Sequence, residues 1–102
     1  MLTSIHEVEV KRPQPNIERI LSNVDKARAA LEWCRDRGLS AYSVDVESAN
    51  PKILVETCGQ LADLVRDGLA AEIGTQSFAG IHSRIMCAPV AGCQVLWVER
   101  GN

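Results

Sequence analysis

Aromatic side chains are scarce: two tryptophans, one tyrosine and one phenylalanine in 102 residues. No stretch approaches the roughly 20 consecutive apolar residues that span a bilayer. The first seven residues, Met1-Leu2-Thr3-Ser4-Ile5-His6-Glu7, have neither a basic n-region nor an apolar h-region, which argues against a secretory signal. A cytoplasmic location is the resulting expectation, and thiols stay reduced in that compartment. The C-x-x-C pair that marks zinc knuckles and thioredoxin-like redox sites is missing. Neither sign of charge dominates, since 11 basic and 13 acidic residues leave a net −2. That balance argues against both a strongly basic nucleic-acid binder and a highly acidic nucleic-acid mimic. Internal repeats and low-complexity segments are also lacking.

Hydrophobic residues make up 46% and charged residues 24%, ordinary values for a globular protein. A chain this long forms one domain, here residues 1–102, and buries roughly 60–70% of its unfolded surface. Charge is uneven along it. Residues 1–38 carry seven basic and six acidic side chains, whereas residues 39–72 carry two basic and six acidic.

Alternation in residues 4–10 predicts a strand with His6, Val8 and Val10 on one face and Ile5, Glu7 and Glu9 on the other. Lys11-Arg12-Pro13-Gln14-Pro15 then reads as an extended connector, because proline cannot donate to a ladder. Asn16 is a suitable N-cap, and Gly38 after Arg35 and Arg37 is a suitable stop. A helix is therefore expected over about 17–37, with a second capping signal at Ser22–Asp25 that permits a kink. Its apolar stripe would be Ile17, Ile20, Val24, Ala27, Leu31 and Cys34. At roughly 100° per residue, Trp33 lies about 150° from the centre of that stripe, beside Lys26, Ala29, Ala30 and Arg37.

Tyr42 to Glu47 alternates as a strand, with Tyr42, Val44 and Val46 inward and Ser43, Asp45 and Glu47 outward. Residues 52–58 fit a strand or a helix; a strand followed by a helix over about 60–70 is the reading adopted, with Leu61, Leu64, Val65 and Leu69 buried. Gly74–Gly80 reads as a loop. Ile81–Ala88 and Cys93–Glu99 form a hairpin closed by the three-residue loop Val90-Ala91-Gly92. The order β-α-β-β-α-β-β predicts an α+β two-layer sandwich: a mostly antiparallel sheet with both helices on one face.

Residue chemistry offers few sites. In the three-residue-loop register Cys87 and Cys93 share a face of the hairpin, and with Cys34, Cys58, His6 and His82 they are the available zinc ligands. Buried thiols acting as small hydrophobes are the simpler reading, so no metal and no cofactor is expected. Asp45, Glu47 and Glu56, with Lys52, suggest a carboxylate cluster of the kind metal-dependent nucleases use, or a salt-bridged outer face. His82, Arg84 and Gln94 could line a groove, but no nucleophile and base accompany them. The basic residues of the first third, with Trp33 among them, raise nucleic-acid stacking as an alternative. Six interspersed carboxylates dilute that field.

Pro51-Lys52-Ile53-Leu54-Val55, Cys58, Leu61 and the terminal Ala91-Gly92-Cys93-Gln94-Val95-Leu96-Trp97 resemble short accessory proteins of temperate phages and prophages. Anti-CRISPR inhibitors are among them. The resemblance covers the second half of the chain and implies a protein that binds a host complex; no catalytic residue carries over. The leading expectation is a non-enzymatic protein-binding module. Its partner is a heterologous protein or a second copy in a homodimer, with no membrane involved. Trp33, Lys26 and Arg37 form its first contact face, and Asp45, Glu47 and Glu56 a second. A nucleic-acid-binding protein and a small metal-dependent enzyme are the alternatives.

Overall fold

Proline is tolerated in the first turn of a helix, where the missing N–H would have no intrahelical partner. Pro13 and Pro15 use that allowance. The computed structural model describes residues 13–100, and helix α1 runs Pro13–Asp36. The helix thus absorbs the prolines that the sequence assigned to an extended connector. The strand expected over 4–10 lies outside the described residues. Gly38 ends α1 as anticipated, with φ at 75°. The Leu39 amide donates to the Cys34 carbonyl at 2.9 Å and the Gly38 amide to Arg35 at 3.1 Å. These are the paired bonds of a Schellman cap, and they satisfy carbonyls that the helix end would otherwise orphan.

The chain continues as β1 (Ala41–Asp45), β2 (Lys52–Val55), α2 (Gln60–Arg66), β3 (Ala71–Phe78), β4 (Ile81–Val90) and β5 (Cys93–Arg100). The five strands form one sheet in the order β1-β2-β5-β4-β3. Every pairing is antiparallel except β2 with β5, which is parallel. One buried cluster joins Ala30 and Cys34 of α1, Leu61 and Leu64 of α2, and Ile53, Val55, Met86, Ala88, Cys93, Val95 and Trp97 of the sheet. The register places all of these strand residues on one face. Both helices therefore cover that face, giving the α+β two-layer arrangement the sequence predicts.

Several local expectations are corrected. Residues 71–78 are a strand, not a loop. β3 is an edge strand, exposed along nearly its whole length, so burial imposes no alternation on its sequence. The β4–β5 connection is a two-residue turn, with φ of 55° at Ala91 and 81° at Gly92, the signature of a type I′ turn. That register sets Val90 opposite Cys93 and Cys87 opposite Leu96. Cys87 and Cys93 therefore lie on opposite faces. Helix α2 ends early, at Arg66, with a left-handed Gly68, so Val65 and Leu69 stay exposed while Leu61 and Leu64 are buried. β1 stops at Asp45 and carries an irregularity between Ala41 and Ser43, which leaves Tyr42 exposed.

The largest correction concerns α1. Its buried residues are Asn23, Ala27, Ala30 and Cys34, about 60° round the helix from the expected stripe at 100° per residue. Asn23 causes this rotation: its side-chain amide donates to the Val46 carbonyl at 3.0 Å and to Ser48 at 2.8 Å. Ala27 and Ala30 let the helix approach the sheet closely. The bulkier Ile17, Leu21 and Val24 are turned outward and exposed.

Candidate functional site

The rotation of α1 brings Trp33 to the edge of the buried face, half-buried and packed against the core. The core cluster covers its inner side. The outer side lines an open cleft of about 400 Å³ whose walls include Ala29, Leu69, Ala88, Val90 and Ala91. Arg37, one turn beyond Trp33, sets its guanidinium carbon 4.3 Å from the indole centroid. That geometry is a cation–π contact. Lys26 lies on the same side of α1, and its aliphatic stem passes over Gly92, where an added Cβ would meet Cδ at 3.1 Å. The fold therefore gathers Lys26, Trp33 and Arg37 along one flank. The ion pairs among the described residues join Arg35 to Asp36, Arg66 to Asp63 and Asp67, and Arg84 to Glu99. None of them uses Lys26 or Arg37.

The second predicted face is dispersed. The Asp45 carboxylate accepts from the Ser48 hydroxyl at 2.7 Å, the Glu47 amide at 2.9 Å and the Ser48 amide at 3.3 Å. Those bonds, the Ser48 hydroxyl first, hold its carboxyl below the usual carboxylate range. Asp45 is thus committed to building the β1–β2 turn. Glu47 is exposed within that turn and is engaged through its backbone, its amide by Asp45 and its carbonyl by Arg19 at 3.0 Å. Glu56 lies at the other end of β2, its amide bonded to Ser40. The three carboxylates share no sheet face. Among the described residues no group of three or more His, Cys, Asp or Glu side chains could hold a metal ion.

His82 and Arg84 do not form a groove with Gln94. Arg84 pairs with Glu99 in the register while Gln94 pairs with Pro89, five positions away and on the opposite face. His82 Nδ1 lies 2.8 Å from Ser77 Oγ across the β3–β4 hairpin. Arg84 donates to Glu99 Oε1 at 2.8 Å, and the Trp97 indole donates to Glu99 Oε2 at 3.1 Å.

The basic residues of α1 fall on two opposite flanks. At 100° per residue, Arg19, Lys26 and Arg37 lie on one side of the buried face and Arg28 and Arg35 on the other. Glu18, Asp25, Glu32 and Asp36 form an exposed acidic crest between them. A nucleic-acid backbone would meet that crest first.

All four cysteines are free. Burial raises the pKa of the Cys34, Cys87 and Cys93 thiols, with a smaller push on Cys34 from Cys93. A raised pKa suppresses the reactive thiolate. Only the half-buried Cys58 is expected to react quickly with a disulfide reagent in the folded protein. The other three should react only on unfolding, and stoichiometric thiol titration with and without urea checks this.

One exposed apolar patch was not legible in the sequence. Phe78, Ile81 and Val98 stand on the sheet face opposite the helices, with Phe78 81% exposed, and they line a hollow of about 260 Å³. The available signal was Ala79-Gly80 between two large apolar residues, a turn that closes the β3–β4 hairpin with φ of 53° and 79°.

No helix among the described residues is long and apolar enough to cross a membrane. No curated protein and no solved structure matches the chain. A family model described as "Uncharacterised protein" matches residues 6–100, so the chain belongs to that family.

Proposed function

We propose that the protein is a non-enzymatic protein-binding module whose contact surface is the Trp33 cleft. The supporting observation is the half-buried indole under the Arg37 guanidinium at 4.3 Å, beside an apolar cleft. Tryptophan and arginine are enriched among the residues that dominate binding energy, and they act where the contact excludes water. Ala29 and Ala91 let a partner's backbone come close. Lys26 and Arg37 favour a partner carrying carboxylates around an apolar anchor. The resemblance to phage accessory proteins suggests an inhibitor of a host complex as the biological setting.

Trp33 packs on the core, so its removal mixes folding with binding. Arg37 is exposed and gives the cleaner test. The full chain is immobilised as wild type, Arg37→Glu, Phe78→Glu and Asp25→Lys, and proteins retained from the native host are quantified by mass spectrometry. A specific partner should be retained by wild type, Phe78→Glu and Asp25→Lys. Arg37→Glu should retain it at least about tenfold less, as a hot-spot loss requires. Equal retention by Arg37→Glu, or selective loss with Phe78→Glu, would overturn the assignment of this cleft.

A further inference from the structure

We propose that β3 is a self-association edge: two copies pair antiparallel through residues 74–78 about a two-fold axis at Gln76, forming one ten-stranded sheet. β3 is the outermost strand on its side, and residues 71–82 are exposed apart from Gly74, so no element among the described residues covers this edge. Open edges are ordinarily blunted by lysine, proline or a bulge. β3 has no lysine, arginine or proline, and its one charge, Glu72, lies beyond the irregularity between Glu72 and Gly74. The straight run is therefore residues 74–78, uncharged and centred on Gln76. The other sheet edge, β1, offers only Ser43–Asp45 beyond its own irregularity.

Hydrogen-bond parity and one side chain fix the register. Ala79 and Gly80 are both left-handed, as in a type I′ turn, so the flanking Phe78 and Ile81 form a hydrogen-bonded pair. Alternation from that pair points the amides and carbonyls of Thr75 and Ser77 outward. About an axis at Gln76, Thr75 of each copy faces Ser77 of the other, and these two places supply about four backbone hydrogen bonds. Phe78 then stands opposite Gly74 of the other copy. On the face away from the helices, Gly74, Ile85 and Val98 lie in one row across the sheet. Gly74 leaves a gap in that row, where a Cβ would sit 3.9 Å from Ile85 Cδ1. The phenyl of the other copy fills the gap and reaches Ile85, the cross-strand covering of a glycine by an aromatic. Moving the axis to Thr75 or Ser77 keeps the hydrogen-bond parity but sets Phe78 against Glu72 or Gln76. The axis is perpendicular to the sheet, so the helices of both copies stay on one face, and none of residues 74–78 lines the Trp33 cleft. The paired edge is about 17 Å long and about 10 Å deep. With both phenyl rings it buries roughly 800 Å² of accessible surface in total, the scale of weak, reversible association.

Sedimentation equilibrium of the full chain under reducing conditions, from about 5 µM to about 1 mM, tests this. A dissociation constant of about 10–500 µM is expected. Gln76→Lys sets two ammonium groups face to face on the axis and should weaken association at least about tenfold, with the unfolding midpoint of the monomer unchanged. Gln76→Cys in a Cys58→Ser background reads the register. Cα atoms about 4.5 Å apart in a non-hydrogen-bonded pair lie within disulfide range, so mild oxidation should link two copies. Thr75→Cys in the same background stands beyond that range from its own counterpart and should link at least about tenfold more slowly. A monomer mass at about 1 mM would overturn the proposal. So would a dimer that survives Gln76→Lys, or equal linking by the two cysteine variants. A dimer lost with Arg37→Glu and kept with Gln76→Lys would overturn it in favour of self-contact at the Trp33 cleft.

Discussion

Asn23→Ala lowers the unfolding free energy by about 2–4 kcal/mol, an expected result of stranding two carbonyls at once. Asn23 is 2% exposed and, among the described residues, is the one strongly polar side chain in the contact face of α1. Its amide nitrogen satisfies Val46 and Ser48 together. Each lost bond is worth about 0.5–1.5 kcal/mol net, and an acceptor left dry costs about 1–3 kcal/mol. Partial entry of water to the β1–β2 turn holds the sum below the upper limit. For a domain of this size the loss corresponds to a fall in Tm of roughly 10–20 °C. Thermal and urea unfolding followed by circular dichroism measure it. A loss under about 1 kcal/mol would mean that packing of Ala27 and Ala30, not these bonds, fixes the rotation of α1.

Trp97→Ala is expected to cost about 3–5 kcal/mol, the range for removing a large aromatic from a core. Trp97 is 1% exposed in the central strand. Truncation opens a cavity between Met86 and the helices and also removes the donor to Glu99 Oε2. The Glu99 carboxylate is then held only by Arg84. Trp97→Phe separates the two effects: it keeps most of the apolar volume and loses the indole N–H, so about 1–2 kcal/mol is expected. Urea midpoints at unchanged m value report these differences. A domain of this kind holds about 5–15 kcal/mol in total, so Trp97→Ala removes a large share of its stability and nearly all of it at the lower limit. A cost of Trp97→Ala no larger than that of Trp97→Phe would show that the neighbouring side chains refill the space.

The elements with strong local signals were legible from residues alone. Gly38 stops α1 because a left-handed residue there lets Leu39 and Gly38 donate back into the helix. Cys93–Glu99 reads as the second arm of a hairpin with Ile81–Ala88, and β5 does pair antiparallel with β4. Lys52–Val55 is a strand since Ile53 and Val55 alternate into the core. What failed had weak or misleading local signals. β3 is covered on neither face, so nothing selected an alternating pattern, and Gly74 with Thr75-Gln76-Ser77 imitates a loop. The periodicity of α1 pointed at Ile17 and Val24, whereas a pair of side-chain hydrogen bonds from Asn23 chose a different face. No scale of hydrophobicity anticipates a buried asparagine. The same error placed Trp33 farther from the core than it is, although its grouping with Lys26 and Arg37 was visible from their spacing. Asp45, Glu47 and Glu56 were grouped by a strand that ends earlier than its pattern does, because Asp45 folds back to cap its own turn.

The order β1-β2-β5-β4-β3 has a consequence for how the chain is born. Among the described residues, the fifth strand in chain order is the one that occupies the middle of the sheet. Until Cys93–Arg100 has left the ribosome, β1–β2 and β3–β4 are two separate hairpins with no strand between them, each presenting unsatisfied backbone along the edge that β5 will fill. Neither can complete the layer beneath the helices, because Val95 and Trp97 have yet to arrive. Folding therefore waits for β5 to emerge, and it is slowed by the long-range pairing of β2 with β5. The nascent chain spends that interval with open strand edges and an unroofed apolar face, the window in which chaperone binding or aggregation competes with productive closure.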